Sequence, residues 1–130
     1  MFTSSEKKAI CRILADATIA DQEPLDIEFE VIRTSLNVDS LFIIQCRDYP
    51  ISTAISIVRL MNNEQRKAFC EILANVIKAD KKVEMSEVRF CLKILKETDL
   101  YDNLIENNVT LYSMIVSAEY KLSSLGQSLF

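Results

Sequence analysis

The fold is decided by the stretch KAICRILA at residues 8–15, which returns as KAFCEILA at residues 67–74. The offset between the two copies is 67 − 8 = 59 positions. A repeat at a fixed spacing indicates that one structural unit occurs twice in a chain. Apolar residues in both copies recur every three or four positions, the spacing of an amphipathic helix. The sequence therefore predicts a duplicated helical unit, with repeats at about residues 6–37 and 65–96.

The composition also favours helices. The chain has 130 residues, of which 49% are hydrophobic, with one glycine and two prolines. A chain with so few helix breakers is poorly suited to a turn-rich β fold. We expect an all-α, internally duplicated helical bundle of seven or eight helices. One domain is predicted over residues 1–122, followed by a C-terminal tail over residues 123–130.

The apolar stripes of the predicted helices also indicate which side chains form the core. A stripe at helical spacing is buried against neighbouring elements in a folded domain. The predicted core residues are Ile13, Leu14, Phe69, Ile72, Leu73, Val76, Val88 and Leu95. A small-ligand pocket between the short helices, lined by residues such as Phe42 and Met61, is a further possibility.

Several classes of function are disfavoured by the composition. The chain contains no histidine, the commonest general base near neutral pH, and we expect no catalytic residues. The net charge of −4 does not suit a phosphate backbone, so we expect no nucleic-acid partner. No apolar run approaches the roughly 20 residues that span a bilayer, which predicts no membrane insertion and a cytoplasmic protein. The four cysteines form no C-x-x-C pair and are predicted to be reduced core residues.

Four acidic residues occupy matching places in the two repeats. Asp21 and Asp80 follow the first helix of each copy, and Glu28 and Glu87 lie early in the second. If the copies pack about a local two-fold axis, these side chains converge and could bind Ca²⁺ or Mg²⁺, which take oxygen ligands. The alternative is that they cap helices, where carboxylates offset exposed N–H groups. Three lysines crowd the second turn and would repel a cation: Lys78, Lys81 and Lys82.

Segment 72–87, with the sequence ILANVIKADKKVEMSE, resembles the signature of the tellurite-resistance TerB family. That signature is an apolar helix followed by Ala-Asp-Gly, a polar residue, an aliphatic residue, an acid, and Glu three positions later. Segment 13–23 looks like the first half of the same unit, and the resemblance covers about residues 6–100. The usual glycine is replaced by Gln22 in one copy and by Lys81 in the other.

The resemblance carries expectations about fold and function. TerB-like domains are duplicated all-helical bundles, as is the N-terminal region of a membrane-anchored DnaJ-type co-chaperone that this chain also resembles. The family is linked to stress-response systems and, in some members, to divalent-cation binding by acidic residues. The leading hypothesis is therefore a non-enzymatic protein-interaction module with a protein partner, in a stress-response or envelope-linked complex. The alternative is a domain that binds a divalent cation, without any other cofactor, through Asp21, Glu28, Asp80 and Glu87.

Overall fold

A computed structural model describes residues 1–19, 26–79 and 85–127 of the chain. Within these residues the protein is all-α, as the sequence predicts, with eight α-helices and one 3-10 turn at Cys46–Asp48. The helices are α1 (Ser4–Ile19), α2 (Asp26–Leu36), α3 (Ser40–Gln45), α4 (Ile51–Arg59), α5 (Asn63–Ile77), α6 (Met85–Glu97), α7 (Leu104–Asn107) and α8 (Val109–Ser124). Helices α1 and α5 start 63 − 4 = 59 residues apart, and α2 and α6 start 85 − 26 = 59 residues apart.

The starts of α1 and α5 are built in the same way. The Thr3 hydroxyl accepts a hydrogen bond from the Glu6 N–H at 3.1 Å, and Glu6 Oε1 accepts one from the Thr3 N–H at 2.8 Å. Asn62 and Gln65 form the same reciprocal capping box at the start of α5. Each box satisfies two N–H groups that lack a partner within the helix. The sequence predicts Asn62 as a cap, but it favours Ser4 or Ser5 over Thr3 at the start of α1.

The two capping boxes also contact each other. The Gln65 side-chain amide donates to both carboxylate oxygens of Glu6, each at 3.1 Å. These residues hold the same place in their boxes and are 65 − 6 = 59 positions apart. When two equivalent residues meet each other, they lie near the axis of a two-fold arrangement. The N-termini of α1 and α5 are therefore held side by side.

Helices α1 and α5 form the centre of the bundle because they are apolar on most of their circumference. In α1 the residues Ala9, Ile10, Cys11, Ile13, Leu14, Ala15 and Ala17 are all at most 2% exposed. Helix α1 packs against every helix from α2 to α6, and α5 packs against α1, α2, α6, α7 and α8. Helix α2 rests on α5 and α6 rests on α1, so the second helix of each predicted repeat packs on the first helix of the other. All eight predicted core residues are buried.

Helix boundaries differ from the sequence prediction at several places. Asp39 caps α3 as predicted, accepting from the Phe42 N–H at 2.8 Å. Helix α4 begins after Pro50 and not at Ser52, since proline has the extended backbone of a cap and needs no N–H partner. Helix α8 is capped by Asn108, which accepts from the Leu111 N–H at 2.9 Å, so the predicted cap Thr110 lies inside the first turn. This helix continues to Ser124, into the segment predicted as tail.

Candidate functional site

Two of the four acidic residues predicted to form a site lie in the described part of the chain. Glu28 and Glu87 are each the third residue of their helix, α2 and α6, and each is 1% exposed. Both residues take part in a polar or electrostatic interaction. Burying a carboxylate is costly without such compensation, and the first turn of a helix supplies part of it. Asp21 and Asp80 lie outside the described residues.

The described residues do not themselves assemble a metal centre. Across residues 1–19, 26–79 and 85–127, no group of three or more Cys, Asp or Glu side chains is placed to hold a metal ion. The predicted four-acid site needs Asp21 and Asp80 to complete it, so it stays a prediction. What the structure adds is the burial of its other two members, which the sequence alone does not indicate.

The four cysteines are free and buried, as the helical patterns predict. Burial is the main cause that raises the pKa of the Cys11 thiol, and the neighbouring Cys46 raises it further. Burial likewise raises the pKa of Cys91, with a smaller contribution from Cys70. Burial raises the pKa of Cys70 to about 12. A reactive cysteine needs a low pKa, since the thiolate is the nucleophile. These thiols are therefore suited to packing and not to nucleophilic attack.

The surface has a groove where α2 meets α3 and the 3-10 turn. Its volume is about 590 Å³, within the range of ligand-binding clefts. We call it the α2–α3 groove, and its lining residues are Ile27, Phe29, Glu30, Arg33, Ser40, Ile43, Ile44 and Arg47. Ile43 is buried, whereas Ile27 and Ile44 are 50% and 55% exposed. The groove thus combines apolar surface that water can reach with a small number of polar groups.

Two arginines give the α2–α3 groove its charge. Arg33 pairs with Glu30 one turn earlier on α2, an exposed pair of the kind that contributes little to stability. Arg47 is exposed and forms no ion pair within the described part of the chain. An arginine presents five N–H donors in a planar fork that fits a carboxylate. The groove is therefore chemically suited to a group that is apolar on one side and anionic at its edge.

The sequence does contain a signal for this groove, although the prediction of a pocket lined by Phe42 and Met61 did not use it. Residues 41–44 read Leu-Phe-Ile-Ile, four consecutive apolar side chains in a helix of six residues. A short helix buries only one side, so part of such a run must face solvent. Leu41 and Ile44 do so. Of the two residues named for the predicted pocket, Phe42 lines two other surface depressions and Met61 is buried in the core.

No family model, curated protein or solved structure matches this chain. Within the part of the chain that the structure describes, no helix is both long enough and apolar enough to cross a lipid bilayer.

Proposed function

We propose that this chain is a non-enzymatic protein-interaction module of TerB-like type, acting within a stress-response or envelope-linked complex. The observation that carries the proposal is the α2–α3 groove, an apolar and cationic surface in a chain whose net charge is −4. The raised pKa values of the buried cysteines support the non-enzymatic part, because these thiols are poor nucleophiles.

The proposed internal duplication is supported by three observations. The helix starts recur at an offset of 59 residues, the capping boxes match, and Glu6 and Gln65 meet across the two copies. The exchanged packing of α2 on α5 and of α6 on α1 is the pattern that a two-fold axis produces. Duplication is a feature of the TerB-like fold that the sequence resembles.

The partner that fits the α2–α3 groove is an amphipathic helix with acidic residues beside its apolar face. Apolar side chains of such a helix would cover Ile27 and Ile44, the half-exposed residues of the groove. A carboxylate at the edge of the helix would pair with Arg47. Helix-in-groove recognition commonly uses apolar anchors at helical spacing for affinity and flanking charges for specificity.

Capture from native host extract with three baits tests this function. The baits are the full chain, its Ile44→Glu variant and its Leu60→Glu variant. Leu60 lies just after α4 and is 87% exposed, so the same substitution there serves as the matched control. We expect one protein to be captured by the wild type and by Leu60→Glu but lost with Ile44→Glu, because a carboxylate in the groove repels the acidic partner and loses apolar contact.

Binding of the captured protein's interacting segment is then measured by calorimetry. We expect Arg47→Glu to weaken its affinity at least about tenfold, since a like charge replaces an attractive one. Raising the ionic strength should also weaken the wild-type affinity. Equal capture by all three baits, or capture of a small molecule without any protein, would contradict the proposed function.

A second candidate function is divalent-cation binding, which is favoured by the burial of Glu28 and Glu87 at matching positions. Carboxylate oxygens are among the ligands that Ca²⁺ and Mg²⁺ take. Glu28 and Glu87 together with Asp21 and Asp80 would form the four-acid site.

Thermal melts of the full chain with EDTA, Ca²⁺ or Mg²⁺ decide this second candidate. A cation present at 100 times its Kd adds about 2.7 kcal/mol to the free energy of unfolding, which raises Tm. We expect this rise in the wild type and in the control Glu71→Gln, whose side chain is exposed, but not in Glu87→Gln. A wild-type Tm that is the same with EDTA and with either cation rules the site out.

A further inference from the structure

Helix α8 has two apolar stripes, and only one of them faces the bundle. The inner stripe, Leu111, Ile115, Ala118 and Leu122, is at most 5% exposed and packs in the bundle, where α8 contacts α5, α6 and α7. The outer stripe consists of Val109, Tyr112, Val116 and Tyr120, which are 64%, 41%, 44% and 78% exposed. At about 100° per residue, the outer stripe lies about 135° around the helix axis from the inner one.

The outer stripe is complementary to itself when two copies of α8 run antiparallel. Its four residues are symmetric about a point near residue 114, since 109 + 120 = 229 and 112 + 116 = 228. An antiparallel pair centred there places Val109 of each copy opposite Tyr120 of the other, and Tyr112 opposite Val116. Ser113 and Ser117 lie beside the stripe and are small enough to let the two helices approach closely. Each aromatic ring thus meets a β-branched side chain and not another ring.

The position of Glu119 in α8 favours this antiparallel arrangement. Glu119 and Lys121 are the charged residues of the helix, and both are near its C-terminal end. In the antiparallel pair, Glu119 lies opposite Thr110 in the first turn of the other copy, where the helix dipole attracts a negative charge. A parallel pair would instead place the two Glu119 carboxylates at the same level beside each other.

We propose that a second copy of this chain binds the outer stripe of α8, forming a two-fold symmetric dimer. In an interface with two-fold symmetry every contact between two residues occurs twice, and this is the usual form of a homodimer interface. The stripe extends over about 18 Å of helix, from residue 109 to residue 120, and is too small for an obligate interface. The dimer is therefore weak and in exchange with the monomer. This surface is separate from the α2–α3 groove, so the proposal does not depend on the proposed function.

Sedimentation equilibrium over a concentration series reaching about 1 mM tests the dimer. We expect a reversible monomer–dimer equilibrium for the full chain. Val116→Lys should raise the dissociation constant at least tenfold, because it places a charge in each half of the interface. Tyr120→Lys is a second variant of the same kind, and Leu60→Lys, at an exposed apolar position outside the stripe, is the control that should dimerise normally. Circular dichroism verifies that each variant is folded.

The register is tested with engineered cysteines, since the four natural ones are buried. Val109→Cys mixed with Tyr120→Cys should give a disulfide-linked dimer on oxidation. Each variant alone should not, because residues 109 of the two copies are about 16 Å apart along the axis. A monomer throughout the concentration series, a dimer that tolerates Val116→Lys and Tyr120→Lys, or equal self-linking of Val109→Cys would each overturn the proposal. If the chain stays monomeric, the outer stripe is available to a different protein.

Discussion

Replacing Leu73 with alanine is expected to lower the free energy of unfolding by about 2–5 kcal/mol. Leu73 is on α5, is 0% exposed and belongs to the single core that α1 and α5 share with their neighbours. The substitution removes buried methyl groups and leaves a cavity that the surrounding helices cannot fully close, since both central helices are fixed by packing on most of their sides. Because a typical domain is stable by only about 5–15 kcal/mol, this is a large fraction of the total.

Urea unfolding of the wild type and the Leu73→Ala variant at one pH measures this difference. The matched control is Leu60→Ala, the same substitution at a side chain that is 87% exposed, where we expect a change within about 0.5 kcal/mol. Similar losses in the two variants would show that α5 does not form the core. An unchanged midpoint for Leu73→Ala would lead to the same conclusion.

The protein is also expected to lose stability as the pH rises above 9, under reducing conditions. The ordinary pKa of these thiols is 9.0, and burial raises the pKa of Cys11, Cys70 and Cys91, that of Cys70 to about 12. Below pH 9 the thiols are neutral in both states, so their burial is fully favourable there. Above pH 9 the unfolded chain loses protons that the folded chain keeps, so the unfolded state is stabilised relative to the native state and the free energy of unfolding falls. At pH 10 the loss is about 1 kcal/mol for each thiol, or about 3–4 kcal/mol for the three together.

Urea unfolding at pH 7, 9 and 10 with a reducing agent measures this dependence. Tyrosine and lysine titrate in the same range, so the informative comparison is with Cys91→Ala. That variant lacks one of the three thiols and should lose less stability between pH 7 and pH 10 than the wild type, by about 1 kcal/mol. The same alkaline loss in both proteins would show that Cys91 is not kept protonated by the fold.

The central helices could be predicted from the sequence because their signal is local. The repeat at residues 8–15 and 67–74 contains apolar residues on most of the helix circumference, and only a central helix buries such a surface. The caps Asp39 and Asn62 are also predictable from the sequence, since each is a short polar side chain at the boundary between two apolar helical patterns. Asn108 was missed in favour of Thr110 because both fit the cap position, and only the backbone shows which residue precedes the first turn.

The candidate sites depend on contacts between distant segments, so the sequence predicts them less well. The hydrogen bond between Glu6 and Gln65 joins residues 59 positions apart and follows from the packing of two helices. The burial of Glu28 and Glu87 likewise depends on which elements cover the first turns of α2 and α6. The α2–α3 groove requires three elements to meet, although the run Leu41–Ile44 shows in advance that α3 has more apolar surface than it can bury.

The central position of α1 has a consequence for synthesis of the chain on the ribosome. Helix α1 is made first, yet three of the elements that cover it, α4, α5 and α6, end at Arg59, Ile77 and Glu97. From Ile19 to Glu97 the ribosome adds 97 − 19 = 78 residues, which takes about 4–16 s at 5–20 residues per second. During those seconds one of the two central helices of the bundle lacks part of the surface against which it packs. The nascent chain is most prone to aggregation during this interval. Helix α1 is the segment to which a molecular chaperone could stay bound for the longest time.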